Sequence, residues 1–264
     1  MIGRRLLNSR LLCGALGAAG LFCVLEATGR IGLISPIAFP LASKVLARAA
    51  RLATDGGFLS GVVSTLGAWA LGLLLTVAVA VPAGFVLGTL PRVETALRPV
   101  LEFLRPIPSL ALVPLALALF SDKFDMKVTL IVYASCWPVL MNTLYGLKDV
   151  DPLAKETLRS FGFGPLAVLW RVSLPSTAPF VATGVRLASA IALIVAISTE
   201  LLAGGSSGSG IGVFLIEAGG SSDAMEYIIA TAIWAGVIGM VSNSLFVLAE
   251  RRIFRWHTAR TEVV

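Results

Sequence analysis

Between Asp55 and Arg92 the chain carries no charged side chain at all, and the segment GGFLSGVVSTLGAWALGLLLTVAVAVPAGFVLGTLP that fills the interval is dominated by apolar residues. About 20 apolar residues suffice for a helix to cross a hydrocarbon core, so this run alone exceeds one bilayer thickness. Further apolar runs lie near residues 10–28, 107–120, 128–146, 178–203 and 227–249. The long runs lack the period-2 alternation of a membrane barrel strand, which leaves helices as the spanning element. Only 14% of the residues are charged and the mean hydropathy is +0.91, against roughly 25% charged in a soluble domain. The sequence therefore predicts an all-α polytopic membrane protein.

The charges then orient the spans. With six crossings and a cytoplasmic N-terminus, the inner segments hold Arg4, Arg5 and Arg10, Arg92, Arg98 and Arg105, Lys148, Lys155, Arg159 and Arg171, and Arg251, Arg252, Arg255 and Arg260, fourteen of the 21 basic residues. Six (Arg30, Lys44, Arg48, Arg51, Lys123, Lys127) fall outside, and Arg186 lies within a span. Removing the short third run, 107–120, would leave eight basic residues inside and twelve outside, so the positive-inside rule selects six transmembrane helices with both termini cytoplasmic. The N-terminus has the charged-then-apolar look of a signal peptide, but with no convincing small-x-small cleavage site after its apolar run and several more spans following, it is expected to be a retained first span. In the first outer loop Leu41, Val45, Ala49 and Leu52 recur at helical spacing with Lys44, Arg48 and Arg51 on another face, an amphipathic helix along the interface. The later outer loop, 204–227, has no lysine or arginine, and its Gly208, Gly210 and Gly212 read as a flexible linker.

Several functions lose their parts. A net charge of +6 marks cytoplasmic loops in such a protein rather than nucleic-acid binding. Cys13, Cys23 and Cys136 form no CxxC pair and sit in apolar surroundings, as small hydrophobes do. The single histidine, His257, cannot build a metal site or a catalytic triad alone. No metal, cofactor or membrane-embedded enzyme is expected.

One stretch fits none of the spans. KETLRSFGFGPLAVLWRVSLP, Lys155 to Pro175, carries charges that would each cost about 2.5–3.5 kcal/mol at a bilayer centre. Asp151-Pro152 has the form of a helix start, Gly162 that of a left-handed helix stop, and Leu174-Pro175 closes a second short helix. Ala154, Leu158 and Phe161 share one face of the first helix, and Leu166, Leu169 and Trp170 one side of the second. Two readings stand: an ordinary interfacial loop, or an apolar knob presented to a groove in another protein.

ETLRSFGFGPLAVLWRVSLP resembles the EAA loop of ABC importer permeases, with Glu156, Gly162, Leu174 and Pro175 in place, Val172 for isoleucine, and Thr157 and Leu158 for the two alanines. FLRPIPSLALVPL, WPVLMNTLYGLKDVDP, GVRLASAIALIVAISTELLAG and SGIG are similar to the nitrate/sulfonate/taurine branch, the likeness covering about residues 35–250. The resemblance implies the ABC type I importer permease fold and a bacterial cytoplasmic (inner) membrane location. It also implies the partners: cytoplasmic ABC ATPase subunits on the loop, a periplasmic or extracellular substrate-binding protein, and a second permease copy in the bilayer as a homodimer. No Walker A sequence is present, so ATP hydrolysis falls to the partner. Glu156 would face the ATPase, Gly162 make the bend, and Leu158, Phe161, Leu166 and Leu169 fill its groove. The chain then divides into a first helix and flank (1–34), an amphipathic outer segment (35–59), a permease core (60–250) with its coupling loop at 151–175, and a basic tail (251–264).

Arg186 and Glu200 are ionisable groups inside a span and hence candidates for the translocation pathway. Fourteen residues apart, they share a helix face but are separated by about 21 Å along the axis, so they cannot pair. Arg186 could instead snorkel to the interface, and Glu200 could serve as a structural hydrogen-bonding group. A secondary transporter is the rival reading; it would favour paired intramembrane acids and an internal inverted repeat, and neither is seen.

Overall fold

Backbone polar groups find no partner in lipid, so a segment that crosses it closes each N–H onto a carbonyl of its own helix. The computed structural model describes residues 2–31, 40–203, 209–220 and 223–254, and every regular element among them is helical. In chain order these are α1 (Ile2–Arg30), α2 (Ala42–Leu52), α3 (Gly56–Thr89), α4 (Pro91–Leu104), a 3-10 turn (Ser109–Leu112), α5 (Val113–Leu119), α6 (Lys123–Lys148), α7 (Pro152–Ser160), α8 (Pro165–Val168), a π turn (Leu169–Ser173), α9 (Leu174–Ala203), α10 (Ile211–Ala218) and α11 (Ala224–Ile253). Among the described residues, five helical stretches are long and apolar enough to cross a membrane, or six if α4 and α5 together make one bent span. The basic tail beyond Phe254, with His257, and Gly208 of the expected linker lie outside the described residues.

Packing separates the chain into two units, residues up to Leu59 with Phe214–Gly236, and Ser60–Val213 with the residues from Val237 onward. In the first, α2 buries Val45, Ala49 and Leu52 as its spacing predicts. Its basic face is not simply solvated. The Arg48 guanidinium reaches Asp223 at 3.1 Å and Glu226 at 3.6 Å, and lies 4.2 Å over the Tyr227 ring. Acidic partners thus balance the basic face that the sequence alone leaves unexplained. Glu26 closes the other end of this unit by accepting bonds from the Ser43 N–H and hydroxyl, each at 3.0 Å. It thereby satisfies donors of the first turn of α2.

The second unit is organised by glycines. A Cβ on Gly72 would strike Ile131, one on Gly84 would strike Thr143, and one on Gly88 would strike Leu147. Every step forward along α3 is matched by an equal step forward along α6, so the two helices are parallel at close range. α9 runs opposite to α6, with Gly146 on Phe180 and Gly184 on Asn142. α11 in turn runs opposite to α9, since Ser189 meets Ser242 while Arg186 meets Glu250. Ala68, Ile131, Val139, Ala188, Ala192 and Ala196 are completely buried between α3, α6 and α9.

Parallel α3 and α6 require the chain between them to travel back the full length of α6, about 38 Å at 1.5 Å per residue. The expected third crossing at 107–120 cannot do this as one helix. It is instead a 3-10 turn followed by the seven residues of α5, joined to α4 at a bend of 77°. The reason is proline. Pro108 has no N–H to offer the Leu104 carbonyl four residues back, and Pro106 constrains the residue before it. The Tyr133 hydroxyl donates to that Leu104 carbonyl at 2.8 Å. Pro82 and Pro138, by contrast, lie inside α3 and α6, which continue past them.

The parallel contact gives a direct test. Gly84→Leu forces side-chain volume against Thr143 and is expected to cost about 1–3 kcal/mol, lowering the detergent melting temperature. Gly67→Leu, where nothing lies within 4 Å, should melt like the parent.

Candidate functional site

The polar stretch 151–175 folds as its punctuation dictates. The Asp151 carboxylate accepts from the Leu153 N–H at 2.8 Å, with Pro152 in the first turn of α7. At the other end Gly162 has φ +83°, the one positive φ among the described residues. Its N–H donates to Arg159 O at 2.9 Å, and the Phe163 N–H donates to Leu158 O at 3.2 Å. These two bonds are the paired closure of a Schellman turn. Arg171 then lies 4.5 Å over the Phe163 ring, folding the second limb back on the first.

That second limb departs from expectation. Leu174-Pro175 does not end a helix; α8 passes through the π turn 169–173 directly into α9, giving one helical rod from Pro165 to Ala203. A proline inside a helix lacks an N–H and crowds the carbonyl four residues earlier. A widened turn just before Pro175 relieves that crowding. The second limb of the loop is therefore the terminal segment of a membrane helix, and α7 is a separate short helix joined to it through the Gly162 turn.

Its apolar side chains sort into two groups. Phe161 is 78%, Leu166 69% and Leu153 68% exposed, and Trp170 is 65% exposed. Leu158, Leu169 and Leu174 are half-buried within the loop and its root, while Glu156 and Pro175 are exposed. The structure thus leaves both Phe161 and Leu166 exposed, while Leu158 and Leu169 are half-buried. Trp170 and Leu153 join the exposed set; neither stood among the expected groove-filling residues, although Trp170 shares their helical spacing.

The two intramembrane charges each find a partner on another helix. Arg186 Nη1 lies 3.1 Å from Glu250 of α11, whose other oxygen accepts from Thr183 at 3.2 Å. At the far end of α9, Glu200 is 5% exposed. Its carboxylate accepts from Lys127 Nζ of α6 at 2.6 Å, from the Thr65 hydroxyl of α3 at 2.9 Å, and from the Gly212 N–H at 2.9 Å. Lys127 is buried with it, at 4% side-chain exposure. In the sequence Lys127 passed for an outer-loop charge. The available signal was its place at the very edge of the uncharged run 128–147.

Gly210 and Gly212 are not slack linker. A Cβ on Gly210 would overlap the Glu200 carboxylate, and one on Gly212 would meet the Ile197 carbonyl and Glu200 Cβ. Glycine is used here for close backbone approach. Among the described residues no group of three or more His, Cys, Asp or Glu could hold a metal ion.

Residues 80–255 match the profile of the binding-protein-dependent transport system inner membrane component. The chain belongs to this family. It is an ABC importer permease, a multi-pass protein of the cytoplasmic membrane. Over 200 residues it is 28% identical to the nitrate import permease protein of Leptolyngbya laminosa, covering 76% of this chain and 70% of that one. Over 230 residues it is 29% identical to the taurine transport system permease protein of Escherichia coli K12, covering 85% and 82%. Its relatives thus lie in the nitrate/sulfonate/taurine branch. In fold the permease matches a bacterial ABC transporter involved in the import of the acidic polysaccharide alginate, with TM-score 0.67 at 14% identity over 93% of this chain and 99% of that one.

The Schellman turn can be probed alone. Gly162→Ala places a Cβ at positive φ, at a cost of about 1–2 kcal/mol. Amide exchange at Phe163 should quicken by about tenfold, with the amides of α9 unchanged.

Proposed function

We propose that this permease carries a small anion of the sulfonate, taurine or nitrate type inward, driven by ATP that a separate cytoplasmic subunit hydrolyses. Two copies pair in the membrane, both termini of each face the cytoplasm, and an external binding protein delivers the substrate. The observation that carries the reading is the loop. Phe161, Leu166, Leu153 and Trp170 are large, exposed and apolar; Leu166 and Trp170 stand on the end of a helix that continues without a break to Ala203, and Leu153 and Phe161 lie on α7 and its C-cap, across the Gly162 turn. An exposed apolar cluster of this kind is the form in which a short helix enters a partner's groove, and a continuous helix transmits displacement of that cluster along its length. Glu156, exposed on α7 and without an ion pair among the described residues, is free to meet a basic group of the ATPase. The anion class rests on the relatives and not on Arg186, whose charge is balanced by Glu250.

The test is reconstitution. Phe161→Glu with Leu166→Glu should leave membrane insertion intact and abolish copurification of the ATPase, with uptake falling at least tenfold. Gly162→Val and Glu156→Lys should weaken both in the same direction. Variants that assemble and transport like the parent would show that this loop does not couple to ATP hydrolysis. For substrate, a strain lacking the subunit should lose uptake of taurine, alkanesulfonates or nitrate; retention of all three with loss of a cationic or neutral nutrient would refute the anion reading. For orientation, a single cysteine at position 217 should react with an impermeant maleimide from outside.

A further inference from the structure

One carboxylate, that of Glu200, holds four pieces of chain together. α9 supplies it, α6 the Lys127 ammonium, α3 the Thr65 hydroxyl, and the segment 209–213 the Gly212 N–H. Thr65 makes a further link, because its hydroxyl oxygen also accepts from the Ile211 N–H at 3.0 Å. One residue earlier, Ser64 donates to Ser209 O at 2.9 Å and accepts from Ser209 Oγ at 2.9 Å. The strap 209–213 has no charge of its own. It is nevertheless pressed so closely onto α3 and α9 that a Cβ on Gly61 would crowd the Gly210 carbonyl, and Ile211 is fully buried.

We propose that Lys127 is a positioning residue for transport. Its buried pair with Glu200 latches the strap 209–213 over the ends of α3 and α9, and the latch holds only while α6 and α9 keep their present register. The proposal rests on the transport cycle proposed above. The physical reason is the cost of separation. Apolar contacts tolerate sliding, whereas drawing a desolvated ion pair apart loses a strong low-dielectric attraction and leaves both charges buried without solvation. α9 bears the exposed docking loop at one end and Glu200 at the other, so displacement of the loop reaches the latch through a single helix. Thr65 and Gly212 hold the carboxylate from the remaining sides, which orients it toward Lys127.

The test places one cysteine at Ile211 after removing Cys13, Cys23 and Cys136, and follows its reaction with an impermeant maleimide in proteoliposomes. In the parent complex labelling should be slow without nucleotide and at least fivefold faster in the vanadate-trapped state. Lys127→Met should raise the nucleotide-free rate at least tenfold, Lys127→Arg should keep it near the parent, and Lys127→Met with Glu200→Gln should restore most of the protection. If Lys127→Met fails to assemble, Thr65→Val, which removes one hydroxyl, should still raise the rate about threefold and increase ATP hydrolysis in the absence of binding protein. Labelling that is equally slow in both nucleotide states would make the strap a static element and overturn the proposal. Lys127→Met or Thr65→Val labelling at the parent rate would also overturn it. ATPase copurification from the same samples separates these outcomes from failure of the docking loop.

Discussion

Lipid offers the backbone no hydrogen-bond partner, and nearly every feature of this permease follows from that. Long stretches survive in the membrane only as closed helices, so each departure from a straight helix needs a local remedy. At the bend between α4 and α5 the Leu104 carbonyl, which Pro108 cannot satisfy, receives the Tyr133 hydroxyl. The strap after α9 has its N–H groups met by Thr65 and Glu200. Irregular backbone appears where side chains from neighbouring helices can supply what water would have supplied.

Charge obeys the same constraint. A buried ion pair is often no more stabilising than well-packed apolar residues of similar volume, but losing one partner costs about 3–5 kcal/mol. Such pairs are therefore poor glue and good registers. The Lys127–Glu200 pair sits at one end of the α6–α9 contact. The Arg186–Glu250 pair, less deeply buried, fixes α9 against α11. Between them α9 buries several small residues, Ala188, Ala192 and Ala196 among them, which allow close approach without specifying a unique alignment.

The sequence made legible what local chemistry decides. Uncharged length placed the helices, the Asp151-Pro152 start and the Gly162 stop placed the loop, and helical spacing found the buried face of α2. What it concealed was set by partners distant in the chain. Lys127 resembles a loop charge until Glu200, 73 residues away, is beside it. Gly210 and Gly212 resemble slack until the carboxylate under them is seen. Pro175 resembles a stop because a proline alone does not reveal that a widened turn precedes it. The third crossing is a related case: the charge rule required a return across the bilayer there, while the prolines that bend the return over residues 91–119 disguised its length.

The glycine contacts between α3 and α6 also constrain how this chain can vary in length. Gly72, Gly84 and Gly88 meet Ile131, Thr143 and Leu147 only because both helices advance through the same number of residues between contacts. One inserted residue in either helix turns everything beyond it by about 100°, swinging the glycines off their seats and driving larger side chains into the gap. The bent return through residues 91–119 has no such lock, since its turn and its break can absorb an extra residue. Insertions and deletions in homologous chains should therefore collect in the return and be nearly absent between Gly72 and Gly88, a pattern imposed by geometry before any demand of transport.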